Sequence, residues 1–437
     1  MIKLLDENIS IADKIILFLI TMIPMMLITG PFLPDLSVVI ASLFFLYLIF
    51  MKKIKINYNN KYIYLFILFY FICLISSLLS SDPLMSLESS LFYFRFYFFP
   101  FVFLYLLIKF NDYFLKNIFY ILIISLLVVF VSVYYEAFND NFFEHQYSGV
   151  FGNEQKSGSF ISRFYPLIIG LTVYFNYSQK TLKLNFSLIF IFVLSSLVII
   201  ISGERTSFLL FAISNFLFFL FIKSLRKFFI YVSIFSIIVI AIFSQTIFKN
   251  SFDRIIFDTY DQIIESKNFS SHYKGHYTTA LNMFKKNISI GVGPKLFRKL
   301  CDRDEYKHIW NVRKARAGPT NQFYPIYENS CATHPHNSYL QLLAEVGIFG
   351  FSFLVLLLFG TIYSLFKLNK IKPRIHTNNM KYYYLYLSSL ICVFITLFPF
   401  IPNGSFFNNW VNVIYYFPLG LLMYSNHQLN KNKNLTL

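Results

Sequence analysis

The sequence predicts an all-α polytopic integral membrane protein, with about twelve transmembrane helices and one large outward loop containing amphipathic helices. Three observations carry that prediction. Hydrophobic residues make up 57% of the chain and charged residues 14%, a balance more apolar than that of a soluble domain. The apolar runs extend for about 17–22 residues, enough for a helix to cross a hydrocarbon core of roughly 30 Å. They are interrupted once, near residues 250–337, by a long polar segment that gathers His, Arg and Cys.

In chain order the predicted spans fall near residues 15–31, 35–50, 62–80, 92–108, 117–136, 159–176, 184–201, 207–222, 228–247, 343–366, 383–401 and 408–424. They divide the chain into residues 1–247, with the first nine helices and short loops, the large loop 248–342, the last three helices over 343–424, and a tail over 425–437. No small-residue cleavage site follows the first span, so it reads as a retained helix rather than a signal peptide.

Short-loop cations lie almost wholly on one side. Lys52, Lys53, Lys55 and Lys61 follow the second span, and Lys109 and Lys116 the fourth. Lys180 and Lys183 follow the sixth, Lys223, Arg226 and Lys227 the eighth, and Lys367, Lys370, Lys372, Arg374 and Lys381 the tenth. The opposite short loops hold chiefly Lys156 and Arg205. Positive short loops mark the cytoplasm, so both termini are predicted cytoplasmic and the large loop outward. The net charge of +17 then reflects topology and attraction to anionic membrane lipids, and no nucleic-acid partner is implied.

Cys73 and Cys392 sit inside spans and read as packing residues. Cys301 and Cys331 both lie in the outward loop. An oxidising compartment would permit a disulfide closing about 30 residues, and the other reading is two free thiols.

Four outward segments carry unusual residues. Gly149-Val-Phe-Gly152-Asn153-Glu154-Gln-Lys156-Ser-Gly158 suits a tight re-entrant turn, with Arg163 just beyond it. Ser202-Gly203-Glu204-Arg205-Thr206-Ser207 is a sharp turn that holds an arginine at the membrane surface; the bland alternative is a snorkelling arginine paired with its neighbour. In the large loop, Tyr273, Tyr277, Ala280, Leu281 and Phe284 recur at helical spacing among Lys274, His276, Lys285 and Lys286, the pattern of an interfacial amphipathic helix. Gly291-Val-Gly293-Pro294-Lys295-Leu-Phe-Arg298-Lys299 follows, where glycines would let backbone amides approach a ligand beside cations suited to phosphate. A basic run continues through Arg303, Lys307, Arg313, Lys314 and Arg316.

The fourth segment is Cys331-Ala-Thr-His334-Pro-His336-Asn337-Ser338. Asn337 or Ser338 is placed to cap the next helix, with His336 at its entrance. Two histidines separated by proline, without a third ligand at a useful spacing, do not make a metal site. Arg95, inside the fourth span, calls for a function or a buried partner; lining a cavity and pairing with Glu88 or Glu154 are both open.

Together these segments resemble the O-antigen ligase and polymerase superfamily of bacterial envelope enzymes. The resemblance rests on Gly152-Asn153-Glu154, on Ser202-Gly203-Glu204-Arg205, and on Ala280-Leu281 leading to Gly291-Val-Gly293-Pro294. It is carried furthest by His334-Pro-His336-Asn337, with His336 followed after ten residues by Gly347. One departure stands out: where the family often has Ser-Gly-Arg, this chain reads Ser271-His272-Tyr273-Lys274, leaving Lys274, His272 or Arg298 to supply the second cation.

The resemblance implies an inverting, metal-independent glycosyltransferase without cofactor, in the bacterial inner membrane with its active loop periplasmic. It would move a glycan from a polyprenyl-diphosphate carrier to lipid A-core in lipopolysaccharide biosynthesis. A membrane-anchored diphosphate leaving group asks for cations at its depth, and arginine's rigid fork suits it. Arg205 is therefore the first choice, with Lys295, Arg298, Lys274 and Arg163 as donor-binding helpers. His336 is the candidate base for the acceptor hydroxyl. Asn153, Glu154, Glu204, His334, Asn337 and Gly347 are expected to support them. A polysaccharide polymerase taking another glycan as acceptor, a protein O-oligosaccharyltransferase and a lipid-linked glycan flippase are the alternatives.

Overall fold

The computed structural model describes residues 2–4, 8–56, 61–144, 146–176, 181–243, 249–260, 271–317, 322–329, 331–371 and 379–431. Helices α1 (Ile11–Thr29) and α2 (Phe32–Phe50) lie between two short antiparallel strands, β1 (Ile2–Leu4) and β2 (Ile54–Ile56). A reciprocal Ser10–Asp13 capping box starts α1. Then come α3 (Lys61–Leu78), the short α4 (Pro83–Ser90) and α5 (Phe94–Asn139).

Asn111 interrupts α5 at φ 46° and ψ −127°. The rings of Phe103 and Phe114 stand 5.2 Å apart, whereas eleven residues of straight helix span about 16 Å. The chain therefore folds back at Asn111, and the arms of α5 carry the predicted spans 92–108 and 117–136. Beside this reversal, Lys109 and Tyr105 both bind the buried Asp13 carboxylate of α1, at 2.9 and 2.7 Å, so the interior acid is paired as burial requires.

α6 (Ser157–Asn176), α7 (Thr181–Ser202), α8 (Arg205–Phe221) and α9 (Arg226–Phe243) follow. The end of the predicted span 228–247 lies outside the described residues. The loop region holds α10 (Lys249–Ile255), α11 (Phe257–Tyr260), α12 (Ser271–Lys286), α13 (Phe297–Leu300) and an antiparallel hairpin, β3 (Ile309–Ala317) with β4 (Gln322–Asn329). The hairpin adds two strands to a loop for which the sequence predicts amphipathic helices. Arg313, Lys314 and Arg316 fall on β3, with their side chains outside the described residues.

The chain ends with α14 (Ser338–Ile371), α15 (Met380–Thr396) and α16 (Asn409–Lys431). α14 starts ahead of the predicted boundary at 343, and α16 runs into the predicted tail. Six described helices are long and apolar enough to cross a membrane, or seven if α8 and the start of α9, bent by 112°, form one span. Predicted spans 62–80 and 383–401 fall on the shorter apolar helices α3 and α15, and 408–424 falls on α16, which is not among those six.

α6 packs on α15 and α7, and α16 packs on α15 and α5. Aromatic rings fill much of the interior: Phe69 stacks on Phe353 at 3.9 Å, and Tyr93 stacks on Phe406 at 5.8 Å. Arg95 pairs with Asp35 of α2 at 2.9 Å and reaches Asn409 Oδ1 at 3.0 Å. Its partner is thus neither Glu88 nor Glu154, because the start of α5 packs across α2.

A second, smaller core lies under the loop: Ala280, Met283, Val292, Leu296, Phe297, Leu300, Cys301 and Tyr306 close on Ala344 of α14. Glycines set this seam. α14 breaks at Gly347, φ 70°, where an added Cβ would lie 2.3 Å from the Ser289 carbonyl oxygen. Across the seam, a Cβ at Gly291 would lie 2.3 Å from the Glu345 carbonyl carbon. Backbone bonds Val292 N–Ala344 O, Gly293 N–Glu345 O and Ile348 N–Ile288 O, each 2.9 Å, join the two segments. Gly347→Ala is therefore expected to cost at least about 1–3 kcal/mol. Thermal unfolding in detergent would show a lower Tm, and an unchanged Tm would contradict this reading of the seam.

Candidate functional site

The His segment enters α14 at the edge of the small core. Asn337 is the helix cap: its Oδ1 accepts from the Tyr339 and Leu340 amides at 3.0 and 3.1 Å, and its Nδ2 donates to Pro399 O at 2.8 Å. Ser338 binds Asn403 Oδ1 at 3.0 Å instead. Asn403 fixes both histidines as well. Its amide donates to the His336 carbonyl at 2.9 Å, and its carbonyl faces His334 Nε2 at 3.2 Å. The carbonyl can only accept, so His334 carries its proton on Nε2 and takes the Thr333 hydroxyl on Nδ1 at 3.0 Å. His336 adopts φ 54°, a left-handed conformation that is strained for a residue with a Cβ and typical of functional sites.

Around His336 the rings converge. Its centroid is 4.3 Å from that of His334, 5.5 Å from His276 and 5.5 Å from Tyr273. Burial, then the neighbouring His334 and His276, push His336 down to about 4. Burial also lowers His334, against the raising effect of its bond to Asn403, while Arg298 and His276 lower it further. His336 is therefore a neutral imidazole near pH 7, free to accept a proton. Among the described residues no group of three or more His, Cys, Asp or Glu is arranged to hold a metal ion.

Two arginines act on this cluster through Tyr273. Arg205 opens α8 and reaches Asp258 of α11 at 3.3 Å. Arg254 of α10 is pulled below its ordinary value by burial and by the Arg205 charge, with Asp258 opposing. The buried Arg254 Nε has no hydrogen-bond partner among the described residues. Tyr273 feels both arginine charges. Two like charges beside one exposed carboxylate leave a net positive charge here. Sequence reasoning missed Arg254. Its only local signal is the four-residue spacing to Asp258, which places the two on one helical face. Lys274, considered for that charge, is exposed, and the His272 side chain lies outside the described residues.

The Arg298 charge acts on His334, and it also acts on Lys295, which burial lowers first. Cys301 and Cys331 form a disulfide that ties the His segment to the end of α13, where Arg298 sits. Mild reduction, or Cys331→Ser, is expected to cost about 2–4 kcal/mol of stability, read as a lower Tm; equal Tm with and without reductant would contradict a supporting role.

The other predicted residues are arranged differently. The Gly293 amide is occupied by Glu345 O, so it does not offer itself to a phosphate. Glu204 is buried and receives the Gly158 amide at 2.7 Å, the Ser159 amide at 2.9 Å and the Ser207 hydroxyl at 2.8 Å. Burial pushes it up to about 7, against these bonds and the Arg163 charge. It caps α6 and anchors the turn that presents Arg205. Arg163 is buried within α6, bonding Ser159 O at 3.1 Å, on the far side of that anchor. Asn153 and Glu154 are exposed; Glu154 pairs with Lys156, whose ammonium lies 5.1 Å from the Trp410 ring. Glu345, fully buried, accepts from the Phe297 amide at 3.1 Å and from Gln341 at 2.9 Å, holding the seam behind the histidines.

Residues 190–355 match the family model described as O-antigen ligase, which supports the superfamily that the motifs resemble. The match spans Glu204, Arg205, Arg254, Lys274, Lys295, Arg298, His334, His336 and Gly347. No curated protein matches the chain.

Proposed function

We propose that the chain is an inverting, metal-independent glycosyltransferase that moves a glycan from a polyprenyl-diphosphate carrier to a hydroxyl of lipid A-core, as an O-antigen ligase. The observation that carries this reading is that Arg205 and Arg254 both act on Tyr273, whose ring centroid lies 5.5 Å from that of the neutral His336. The arginines hold the diphosphate and stabilise the charge it gains on leaving. His336 takes the proton of the acceptor hydroxyl as the new C1–O bond forms and the C1–diphosphate bond breaks. One displacement inverts the anomeric carbon. Arg298 acts on His334 and on Lys295, and Lys274 is exposed, so these cations serve as helpers.

Lysine- and arginine-rich short loops support about twelve spans in the bacterial inner membrane, both termini in the cytoplasm and the loop region in the periplasm. An apolar cavity of about 510 Å³ supports a lipid-borne donor. It runs between α3, α5, α14, α15 and α16, and its wall includes Leu397 and Phe406, which bond Tyr339 and Gln341 beneath the His segment.

The experiment is the surface glycan profile of a deletion strain. Bare core, with long glycan retained on the carrier, supports the ligase. Cores bearing single repeat units would make the protein a polymerase. Lipid-linked units confined to the cytoplasmic face would replace the enzyme reading with a flippase.

A further inference from the structure

We propose that Tyr273 is the surface on which the first sugar of the donor rests, and that it selects that sugar. The inference depends on the glycosyltransferase reading. In that displacement the reacting carbon stands between the leaving diphosphate and the base. Arg205 and Arg254 mark the first position, and His336 the second. Tyr273 borders both: its ring centroid lies 5.5 Å from that of His336, and both guanidinium charges act on its phenol.

The ring has a platform behind it. Tyr277, one turn on, stacks with Tyr273 at 6.2 Å and 18° between planes. A pyranose presents an apolar C–H face that packs on such rings, and its hydroxyls can meet a phenol oxygen. The plainer explanation is that both tyrosines are simply the apolar face of α12. That face, however, changes along the helix: Ala280 and Met283 are sealed in the small core, whereas Tyr273 and Tyr277 are half-buried. The half-open end is the one beside His336.

The test compares two probes on the full-length protein in lipid nanodiscs: bare polyprenyl diphosphate, and polyprenyl diphosphate bearing one N-acetylhexosamine. Tyr273→Ala is expected to weaken the sugar-bearing probe about tenfold and to leave the bare probe within about twofold. Tyr273→Phe, which keeps the ring, restores most of the lost binding. Arg205→Ala weakens both probes. If Tyr273→Ala weakens both probes equally, or neither, the sugar platform is overturned while the arginine result still stands for the donor site. If wild-type protein binds neither probe, or Arg205→Ala changes neither, the glycosyltransferase reading fails and this inference with it.

Discussion

His336→Ala is expected to lower transfer by about 10²–10⁴-fold, the usual contribution of a positioned general base, with donor binding nearly unchanged. Among the described residues no hydrogen bond to the His336 ring holds the fold: Asn403 grips His336 through its backbone carbonyl and His334 through its ring. The variant should therefore remain folded, and a kcat effect with an intact Tm is the signature to look for. The pH profile sharpens the expectation. A free histidine titrates near 6.5, but burial and its imidazole neighbours push His336 down to about 4. The acid limb of kcat/KM should therefore fall near pH 4 rather than 6.5. The sign for stability follows: the unfolded chain binds this proton first, so stability is present above about pH 6.5 and is lost as pH falls toward 4. An acid limb at 6.5 would show that the imidazole is not buried as described.

The second large effect concerns the arginine pair. Arg205→Ala and Arg254→Ala are each expected to lower kcat/KM by about 10²–10³-fold, the loss typical of removing one donor from a developing anion. The double variant should fall short of the product of the two, because both act on one diphosphate. Arg254→Lys should not restore full rate, since a point charge lacks the bidentate fork. A near-wild-type Arg254→Ala would return the second charge to Lys274 or Arg298.

Much of this was legible in the sequence, for physical reasons. Long apolar runs give away helices whatever their partners, so each predicted span fell on one. The cap was legible as Asn337 or Ser338 because capping is local chemistry, and the choice of Asn337 needed the structure. Arg205 stood out because cations are scarce in the outward short loops, and His336 because it precedes a helix entrance. What stayed hidden depends on distant contacts. Asn403 lies in an ordinary Pro-Asn-Gly turn, and nothing local says that it holds two histidines 67 and 69 positions earlier. Arg254 reads as one charge in a mixed polar stretch until α10 is brought beside α8. Gly291 makes room for the backbone of α14, and Gly293 for Ser80 and Ser86 while its amide bonds Glu345 O, contacts that nothing local announces. The hairpin was masked by its basic side chains, which read as a solvated run.

The most direct test of the central claim is transfer by the purified full-length protein, in nanodiscs containing chelator, from a polyprenyl-diphosphate-linked glycan to lipid A-core. The account predicts product with inverted anomeric configuration and one released polyprenyl diphosphate per transfer, both lost in His336→Ala and Arg205→Ala. Retained configuration, a metal requirement, or full transfer by either variant would contradict it.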